Sequence, residues 1–313
     1  IYSTRAINFH ITTTQCYSSS LLNPFIMIDN TIWSEPFPSL SFPIYRSRDI
    51  ALDAVPIHHT DIFGQLSVDL SNKTETCEIQ YINAVAHCNL ALANAQISID
   101  DARSSDLSAY YMAERLVLPF MRYLRGCLLL HASALAIDDQ AIALIAPSGI
   151  GKSTLVGALL ANAQCAKLIC DDVLTAFQSE SHPNLFHAIP SQSHISMRHD
   201  MWKHAHFVDS QTEFFQKSVL KIKSTRLANT TTPIAAIVLL DKSNTQSDIV
   251  QLQPNACIAE LLNSRFTISN EWPQISSYQF KSAMQCFANT PIFRCSIYDN
   301  DFEKASSQIL NLL

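Results

Sequence analysis

The stretch AIALIAPSGIGKST, residues 141–154, decides the fold of this chain. Its apolar first part is typical of a β-strand, and the loop that follows leads directly into the pattern of a helix. The loop fits GxxxxGK[ST] except that Ala146 occupies the first glycine position, a departure that matters only if this position requires a positive φ. Strand, loop and helix in this order predict an α/β fold built around a phosphate-binding loop.

The chain uses glycine sparingly, which makes the glycines of this loop informative. Of five glycines in 313 residues, Gly149 and Gly151 lie within three positions of each other. Glycine adopts left-handed backbone conformations without the steric penalty that other residues meet there. We therefore expect special backbone geometry at these two positions.

The residue types of the loop suit the phosphates of a nucleotide. In such a loop, backbone N–H groups turn inward to phosphate oxygens, and the following helix adds the positive end of its dipole. Lys152 is expected to neutralise the β- and γ-phosphates of ATP or another NTP, and the Ser153 hydroxyl to bind Mg²⁺. The predicted nucleotide-binding residues are Ser148, Gly149, Ile150, Gly151, Lys152, Ser153 and Thr154. The alternative is a plain strand-to-helix turn without a ligand.

Two adjacent carboxylates follow the loop. Asp171 and Asp172 come directly after a short apolar strand, 167–170, about 20 residues beyond the loop. If that strand lies parallel beside the strand of the loop, both side chains reach the same edge of the sheet. Near phosphate, such a pair offers one ligand for Mg²⁺ and one group to accept a proton from an attacking hydroxyl. The alternative is a helix cap or a turn.

The rest of the chain divides into two regions. Residues 1–103 consist of short strand-like segments, and we predict strands at 7–14, 25–33, 66–70, 76–82 and 95–99. A helical pattern runs from Ser105 to Gly126, and Pro119 is expected to kink or interrupt it. We therefore predict a smaller mixed, mainly β N-terminal region over 1–103, followed by the P-loop catalytic domain over 104–313.

Within the second region, apolar runs at 127–137 and 141–146 flank a polar turn, which predicts a β-hairpin. The other predicted elements are a helix at 154–161, strands at 167–170, 233–240 and 292–298, a helix at 256–262 and a terminal helix at 301–313.

These motifs together resemble a known family. The run Leu130-His131-Ala132-Ser133-Ala134, the loop lysine 21 residues after this histidine, and Asp171-Asp172-Val173 are similar to the C-terminal catalytic domain of HPr kinase/phosphorylase. The chain looks closer still to HPr-kinase-like proteins found beside peptide-modification genes, including lasso-peptide kinases, since Leu124-Arg125-Gly126 precedes the histidine run. The resemblance covers residues 105–200 and implies an HPr-kinase-like catalytic domain.

The resemblance also implies roles for individual residues. His131 would lie near the transferred phosphate, Lys152 would contact the phosphates, and Asp172 would act as general base. Ser153 and Asp171 would hold Mg²⁺. For His131 by itself, a buried strand histidine is the alternative. Ala132 and Thr154 stand where the bifunctional enzymes carry glycine and an acidic residue, so an HPr substrate and phosphorylase activity are not implied.

The composition of the chain argues against several classes of protein. A net charge of -6 and a pI near 6.0 give no support for a general nucleic-acid or membrane-surface binder, which needs a basic field. The nine cysteines form no CxxC pair and are odd in number, which favours reduced thiols in a cytoplasmic protein over a disulfide framework or zinc ribbon. No apolar run is long enough to cross a bilayer.

Two polar clusters carry weaker signals. The histidines are His182, His187, His194, His199, His204 and His206. Their irregular spacing favours solvated loop positions over a dedicated metal site. The basic residues are Lys217, Lys221, Lys223 and Arg226. They are expected either to close over phosphate or an acidic substrate, or to form an ordinary solvated face.

Three functions remain open from the sequence. The favoured hypothesis is an ATP-dependent, Mg²⁺-dependent kinase that phosphorylates a hydroxyl, in particular a serine of a peptide or small protein such as a lasso-peptide precursor. The second is a regulator that binds or hydrolyses NTP without phosphotransfer, and the third is a binding module whose glycine loop is coincidental. No glycine follows Gly157, so the LSGGQ signature of ABC transporters and the DxxG switch of GTPases are absent. A homo-oligomer is compatible with the sequence.

Overall fold

A computed structural model describes residues 8–13, 57–61, 64–69, 76–81, 84–89, 94–99, 114–115, 118–124, 127–178, 184–197, 205–214, 217–265 and 273–312. The chain divides into two compact units, one of residues 1–127 with 267–276 and one of residues 128–266 with 277–313. The boundary predicted between residues 103 and 104 lies outside the described residues, as does the strand predicted at 25–33.

The first unit contains a six-stranded sheet. Its strands are β1 (Asn8–Thr13), β2 (Ile57–Asp61), β3 (Gly64–Asp69), β4 (Thr76–Tyr81), β5 (Ala84–Asn89) and β6 (Asn94–Ile99). The order is β1-β6-β5-β4-β3-β2, with β1 parallel to β6 and the other neighbours antiparallel. Helix α1 (Leu118–Leu124) follows. Pro119 was expected to kink or interrupt a helix from Ser105 to Gly126, and residues 105–113, 116 and 117 of that segment lie outside the described residues. Pro119 itself lies in the first turn of α1, where its missing N–H disrupts no hydrogen bond.

The second unit is built on an eight-stranded sheet. Its strands are β7 (Leu128–Ile137), β8 (Gln140–Ile145), β9 (Lys167–Cys170), β10 (Val173–Gln178), β11 (Phe186–Ile189), β15 (Thr232–Ser243), β16 (Asp248–Leu252) and β17 (Ile292–Tyr298). The order is β11-β10-β7-β8-β15-β17-β16, and β9 also pairs with β7. A three-stranded sheet has the order β12-β14-β13, formed by β12 (His194–Met197), β13 (Val208–Phe214) and β14 (Lys217–Ile222). The helices are α2 (Lys152–Asn162), α3 (Pro254–Asn263) and α5 (Phe302–Leu310), together with α4 (Pro273–Asn289), which belongs to this unit from Ser277 onward.

The hairpin predicted from the sequence is formed by β7 and β8. Ala132 pairs with Ile145 and Ile137 with Gln140 in an antiparallel register. The two turn residues, Asp138 and Asp139, both have positive φ, 47° and 62°. A two-residue turn of this kind has the twist that suits antiparallel strands, and aspartate is among the residues that tolerate it. The hairpin delivers β8 directly into the glycine loop.

The central strands of the large sheet are buried on both faces. Along β7, Leu130 and Ala134 pack into one core together with Leu261 of α3 and Phe287 of α4. Leu135 packs into the opposite core with α2, α5 and the three-stranded sheet. A sheet covered on both faces explains the nearly continuous apolar runs of its strands. The helices on both faces make this unit α/β, in agreement with the prediction.

The position of β9 corrects one expectation. The strand before the two aspartates was expected to lie parallel beside the strand of the loop, but it pairs with β7 in an antiparallel register, Ala134 opposite Cys170. Strand β7 therefore separates β8 from β9. Because β7 runs antiparallel to both, β8 and β9 run in the same direction and end at the same edge of the sheet. The edge was predicted correctly, although the pairing was wrong.

No disulfide is formed by Cys127, Cys165, Cys170, Cys257, Cys286 or Cys295. Burial raises the pKa of Cys286 to about 12 and the pKa of Cys295 to about 11, so both thiols stay protonated at neutral pH. Among the described helices, none has both the length and the apolar character needed to cross a bilayer.

Arg226 caps the carboxyl end of the loop helix α2. Its Nη2 atom donates to the carbonyl oxygens of Leu160 (2.6 Å) and Ala163 (2.8 Å), and its Nε atom donates to Ala166 O (2.9 Å). Its Nη1 atom lies 3.1 Å from His206 Nε2, which must accept since arginine only donates. Burial lowers the pKa of this guanidinium from its usual value. The positive charge complements the negative end of the helix dipole.

This contact changes the interpretation of the basic cluster. Arg226 is 8% exposed and bonded to a helix end, so it belongs to neither of the two roles expected for the cluster. Lys221 Nζ lies 3.6 Å from Asp209 Oδ2 in a partly exposed ion pair, and Lys223 is exposed. Arg226 therefore stabilises the helix that begins at the loop.

Replacing Arg226 by alanine is expected to lower the free energy of unfolding by about 2–4 kcal/mol, because several hydrogen bonds to one buried charge are lost together. The matched control is Lys223→Ala, an exposed basic residue three positions away, which should change it by less than about 0.5 kcal/mol. Urea denaturation followed by circular dichroism measures both. Equal stability of the two variants would contradict this role of Arg226.

Candidate active site

The glycine loop has the backbone geometry that its sequence predicts. Gly149 has φ 85° and Gly151 has φ 112°, a region that side chains rarely allow. A Cβ atom on Gly151 would lie 2.6 Å from the Phe302 ring of α5, whereas one on Gly149 would meet nothing within 4 Å. Ala146 is not among the described residues with positive φ, so alanine fits the position where the pattern has glycine.

Lys152 is the first residue of α2 and folds back over the loop. Its side chain is buried, and Nζ donates to the carbonyl oxygen of Ala146 at 2.9 Å. Nζ also lies 3.3 Å from Nε2 of His131, which accepts in this contact because an ammonium group only donates. His131 therefore carries its proton on Nδ1 when it makes this contact. The loop lysine and the strand histidine are neighbours, as their sequence spacing suggested.

Asp171 is the buried centre of the site. Its carboxylate, with 0% exposure, accepts from Ser133 Oγ at 2.9 Å and from Ser196 N at 2.9 Å. It also accepts from Ser153 Oγ, at 2.9 Å to Oδ1 and 3.1 Å to Oδ2. These bonds come from a neighbouring strand, from the small sheet and from the first turn of α2. They hold the carboxylate against the hydroxyl that follows the loop lysine.

Asp172 has an unusual backbone conformation that brings both carboxylates to one face. In a regular strand, adjacent side chains point to opposite faces. Asp172 has φ 85°, and its Oδ1 lies 3.9 Å from His131 Nε2, while Asp171 bonds Ser133. His131 and Ser133 are two residues apart on β7 and so share a face. The break between β9 and β10 thus turns two consecutive carboxylates toward the loop.

The exposure of the two carboxylates differs. Asp171 is enclosed, whereas the side chain of Asp172 is 25% exposed and that of His131 is 40% exposed. A reactant from solution can therefore approach the pair formed by Asp172 and His131. The site therefore contains two different carboxylates. Asp171 is buried beside the Ser153 hydroxyl, and Asp172 is accessible beside the His131 imidazole.

The structure brings together His131, Lys152, Ser153, Asp171 and Asp172 from the residues predicted from sequence. It adds three that were not predicted as site residues, namely Ser133, Gln192 and Ser196. Ser133 had a detectable signal, since it lies two positions after His131 on the same strand. Gln192 accepts from Asp171 N through its side-chain oxygen, and Ser196 acts through its backbone N–H. Neither contact could be predicted from a motif or a spacing in the sequence.

The described members of the histidine cluster have other partners. His187 stacks on Phe177 with ring centroids 5.5 Å apart, His194 Nδ1 lies 2.9 Å from Ser193 Oγ, and His206 contacts Arg226. In the part of the chain that the structure describes, no group of three or more histidine, cysteine, aspartate or glutamate side chains could hold a metal ion. His182, His199 and His204 lie outside the described residues.

No protein-family model matches the chain, and no curated protein matches it. Among solved structures, the chain is similar to the Hpr(Ser) kinase/phosphatase from Coxiella burnetii, with a TM-score of 0.32 and 13% sequence identity. The match covers 58% of this chain and 94% of that chain. This is a distant likeness, and the roles of the residues are argued from their own contacts.

Replacing Gly151 by alanine is expected to lower the free energy of unfolding by about 2–4 kcal/mol, because it adds a contact with Phe302 to the strain of a positive φ. Gly149→Ala is the matched control, since it carries the strain without the contact and should lose about 1–2 kcal/mol. Chemical denaturation of both variants gives the comparison. A larger loss for Gly149→Ala would show that Phe302 does not restrict the loop.

Proposed function

We propose that this chain is a kinase that transfers the γ-phosphoryl group of ATP, or of another NTP, to a hydroxyl group. The observation that carries the proposal is the hydrogen bond between Ser153 at the start of α2 and the buried Asp171, with Asp172 and His131 beside Lys152. A lysine, a hydroxyl and two carboxylates at one helix N-terminus are the parts that phosphoryl transfer requires.

The loop and the helix form the anion-binding half of the site. The first N–H groups of a helix have no partner within the helix, and its dipole places partial positive charge there. The positive φ of Gly149 and Gly151 allows the loop backbone to turn around a ligand. Lys152 is held by Ala146 O and His131, and its ammonium group can turn to phosphate oxygens. These groups would bind and orient the phosphates.

The chemistry of Ser153 and Asp171 fits a magnesium ion. A hydroxyl and a carboxylate are hard oxygen ligands, which Mg²⁺ prefers, and they lie within hydrogen-bond distance of each other. When bound, Mg²⁺ would neutralise charge on the phosphates. The bonds from Ser133 and Ser196 N keep the Asp171 carboxylate in place. Such fixed orientation lowers the reorganisation required when a charged ligand binds.

Asp172 is the candidate general base. Its carboxylate is the accessible member of the pair, and it lies 3.9 Å from His131. In this role it accepts the proton of the attacking hydroxyl, while His131 and Lys152 provide polar and charged groups on the side where phosphate binds. The left-handed backbone of Asp172 is consistent with this function, since strained conformations recur at active sites.

The acceptor we propose is a serine on a peptide or small protein. The resemblance of the histidine run and the aspartate pair to HPr-kinase-like proteins of peptide modification supports this choice, and a lasso-peptide precursor is one such substrate. The N-terminal region predicted over 1–103 would then recognise the peptide. A regulator that hydrolyses NTP is the second candidate, because the exposure of Asp172 and His131 also admits water.

Replacing Asp172 by asparagine is expected to lower phosphoryl transfer by about 10²–10⁴-fold, because the proton acceptor is lost while the shape of the side chain is kept. Lys152→Ala should lower transfer by at least about 10²-fold through loss of a preorganised positive charge. The assay combines protein, Mg²⁺, labelled ATP and candidate peptides encoded nearby, and it separates labelled peptide from free phosphate.

Asp209→Asn and Lys223→Ala are the matched controls, since both residues are exposed and neither is among the residues that form the site. They should retain full activity. Full activity of Asp172→Asn would contradict its role as general base. Label that appears only as free phosphate, with every peptide tested, would favour the hydrolysing regulator.

A further inference from the structure

One nitrogen atom of His131 faces both a cation and an anion. Nε2 lies 3.3 Å from Nζ of Lys152 and 3.9 Å from Oδ1 of Asp172. An ammonium group only donates, so the contact with Lys152 requires a neutral imidazole whose Nε2 accepts. A hydrogen bond to the Asp172 carboxylate requires the opposite, an Nε2 that carries a proton and donates it. The two bonds therefore exclude each other.

The surroundings of His131 place these two charges on its accessible side. Lys152 reaches it from α2, and Asp172 reaches it from the connection between β9 and β10. The other elements beside this part of β7 present groups that are apolar or bonded elsewhere. They are Val173 opposite it on β10, the Ser264 carbonyl that accepts from its backbone N–H, Arg265 over the Phe280 ring, and Asp171 bonded to Ser133.

We propose that binding of a magnesium nucleotide makes His131 take up a proton from solution. The inference rests on the proposed function, and it adds a coupling between nucleotide binding and protonation to that site. When Lys152 Nζ turns to the phosphate oxygens, Nε2 loses this donor, and the Asp172 carboxylate is still beside it. The phosphates also bring negative charge, which favours a cationic imidazole. Because the His131 side chain is 40% exposed, the proton can reach it directly from solvent.

A change of tautomer is the alternative response to the loss of Lys152. A neutral imidazole with its hydrogen on Nε2 also donates to Asp172, and this rearrangement takes up no proton in total. The two responses differ by one positive charge on the ring. A count of protons at binding therefore distinguishes them.

The test is calorimetric titration of MgADP into the purified protein at pH 7.5, in two buffers of different ionisation enthalpy. The difference in heat gives the number of protons taken up per nucleotide. The wild type should take up roughly 0.5–1 proton more than His131→Asn, since one histidine gains at most one proton and asparagine does not titrate. The matched control is His206→Gln, which removes an exposed histidine and keeps an acceptor for Arg226. It should take up protons like the wild type.

The same coupling gives the affinity a pH dependence of known sign. The complex binds more protons than the free protein, so a fall in pH favours the complex. Between pH 8 and pH 6.5, the dissociation constant of the wild type should fall by up to about tenfold per pH unit relative to that of His131→Asn. Asp172→Asn should still bind MgADP but take up fewer protons, because the anion that pairs with the imidazolium is lost.

Nitrogen-15 NMR of protein labelled at histidine reads the state of the ring directly. The signals that disappear in His131→Asn belong to His131. They should report a hydrogen on Nδ1 alone in the free protein and on both nitrogen atoms with MgADP. A neutral ring protonated only on Nε2 in the complex would overturn the proposal in favour of the tautomer change.

The remaining outcomes separate this inference from the proposed function. Equal proton uptake by the wild type and His131→Asn would overturn the inference, because the proton would then belong to another group. If the wild type binds MgADP without any uptake, the inference fails and the proposed function stands. If the wild type binds no magnesium nucleotide, the proposed function fails as well.

Discussion

The site depends on one interaction, the hydrogen bond from the Ser153 hydroxyl to the buried carboxylate of Asp171. It joins the first turn of α2 to the residue that follows β9, and the two residues are 18 positions apart in the chain. In the sheet, β7 separates β9 from β8, the strand that leads into the loop. A buried carboxylate is unfavourable unless donors surround it, and Ser133 and Ser196 supply the others. The need to surround the Asp171 carboxylate with donors therefore links the positions of the loop, α2 and the aspartate pair.

Three contacts with the surrounding fold fix the position of α2, which carries Ser153. The Phe302 ring packs where Gly151 has no side chain, Arg226 binds the far end of α2, and Asn162 Nδ2 donates to Ser306 Oγ of α5. The helix is thus fixed at both ends. Because α2 cannot shift easily along its axis, Lys152 and Ser153 remain opposite His131 and Asp171.

The features that were predicted correctly from the sequence depend on residues close to one another along the chain. They are the loop with its two glycines, the hairpin of β7 and β8, and the position of the aspartates at one edge of the sheet. Three features were missed because they depend on contacts between segments that are far apart in the chain and share no sequence pattern. They are the pairing of β9 with β7, the burial of Arg226, and the contact of Gln192 with Asp171. The positive φ of Asp172 was not predicted, because aspartate tolerates this conformation without requiring it and so does not mark the position in the sequence.

The most direct measurement of the central claim uses Mn²⁺ as a paramagnetic substitute for Mg²⁺, titrated into the protein with ADP and followed by electron paramagnetic resonance. The wild type should bind one Mn²⁺ per chain in the presence of ADP. Asp171→Asn should lose that bound signal, because its amide replaces one of the oxygen ligands. The same bound Mn²⁺ spectrum and affinity in Asp171→Asn would contradict the assignment of Ser153 and Asp171 to the metal-nucleotide site.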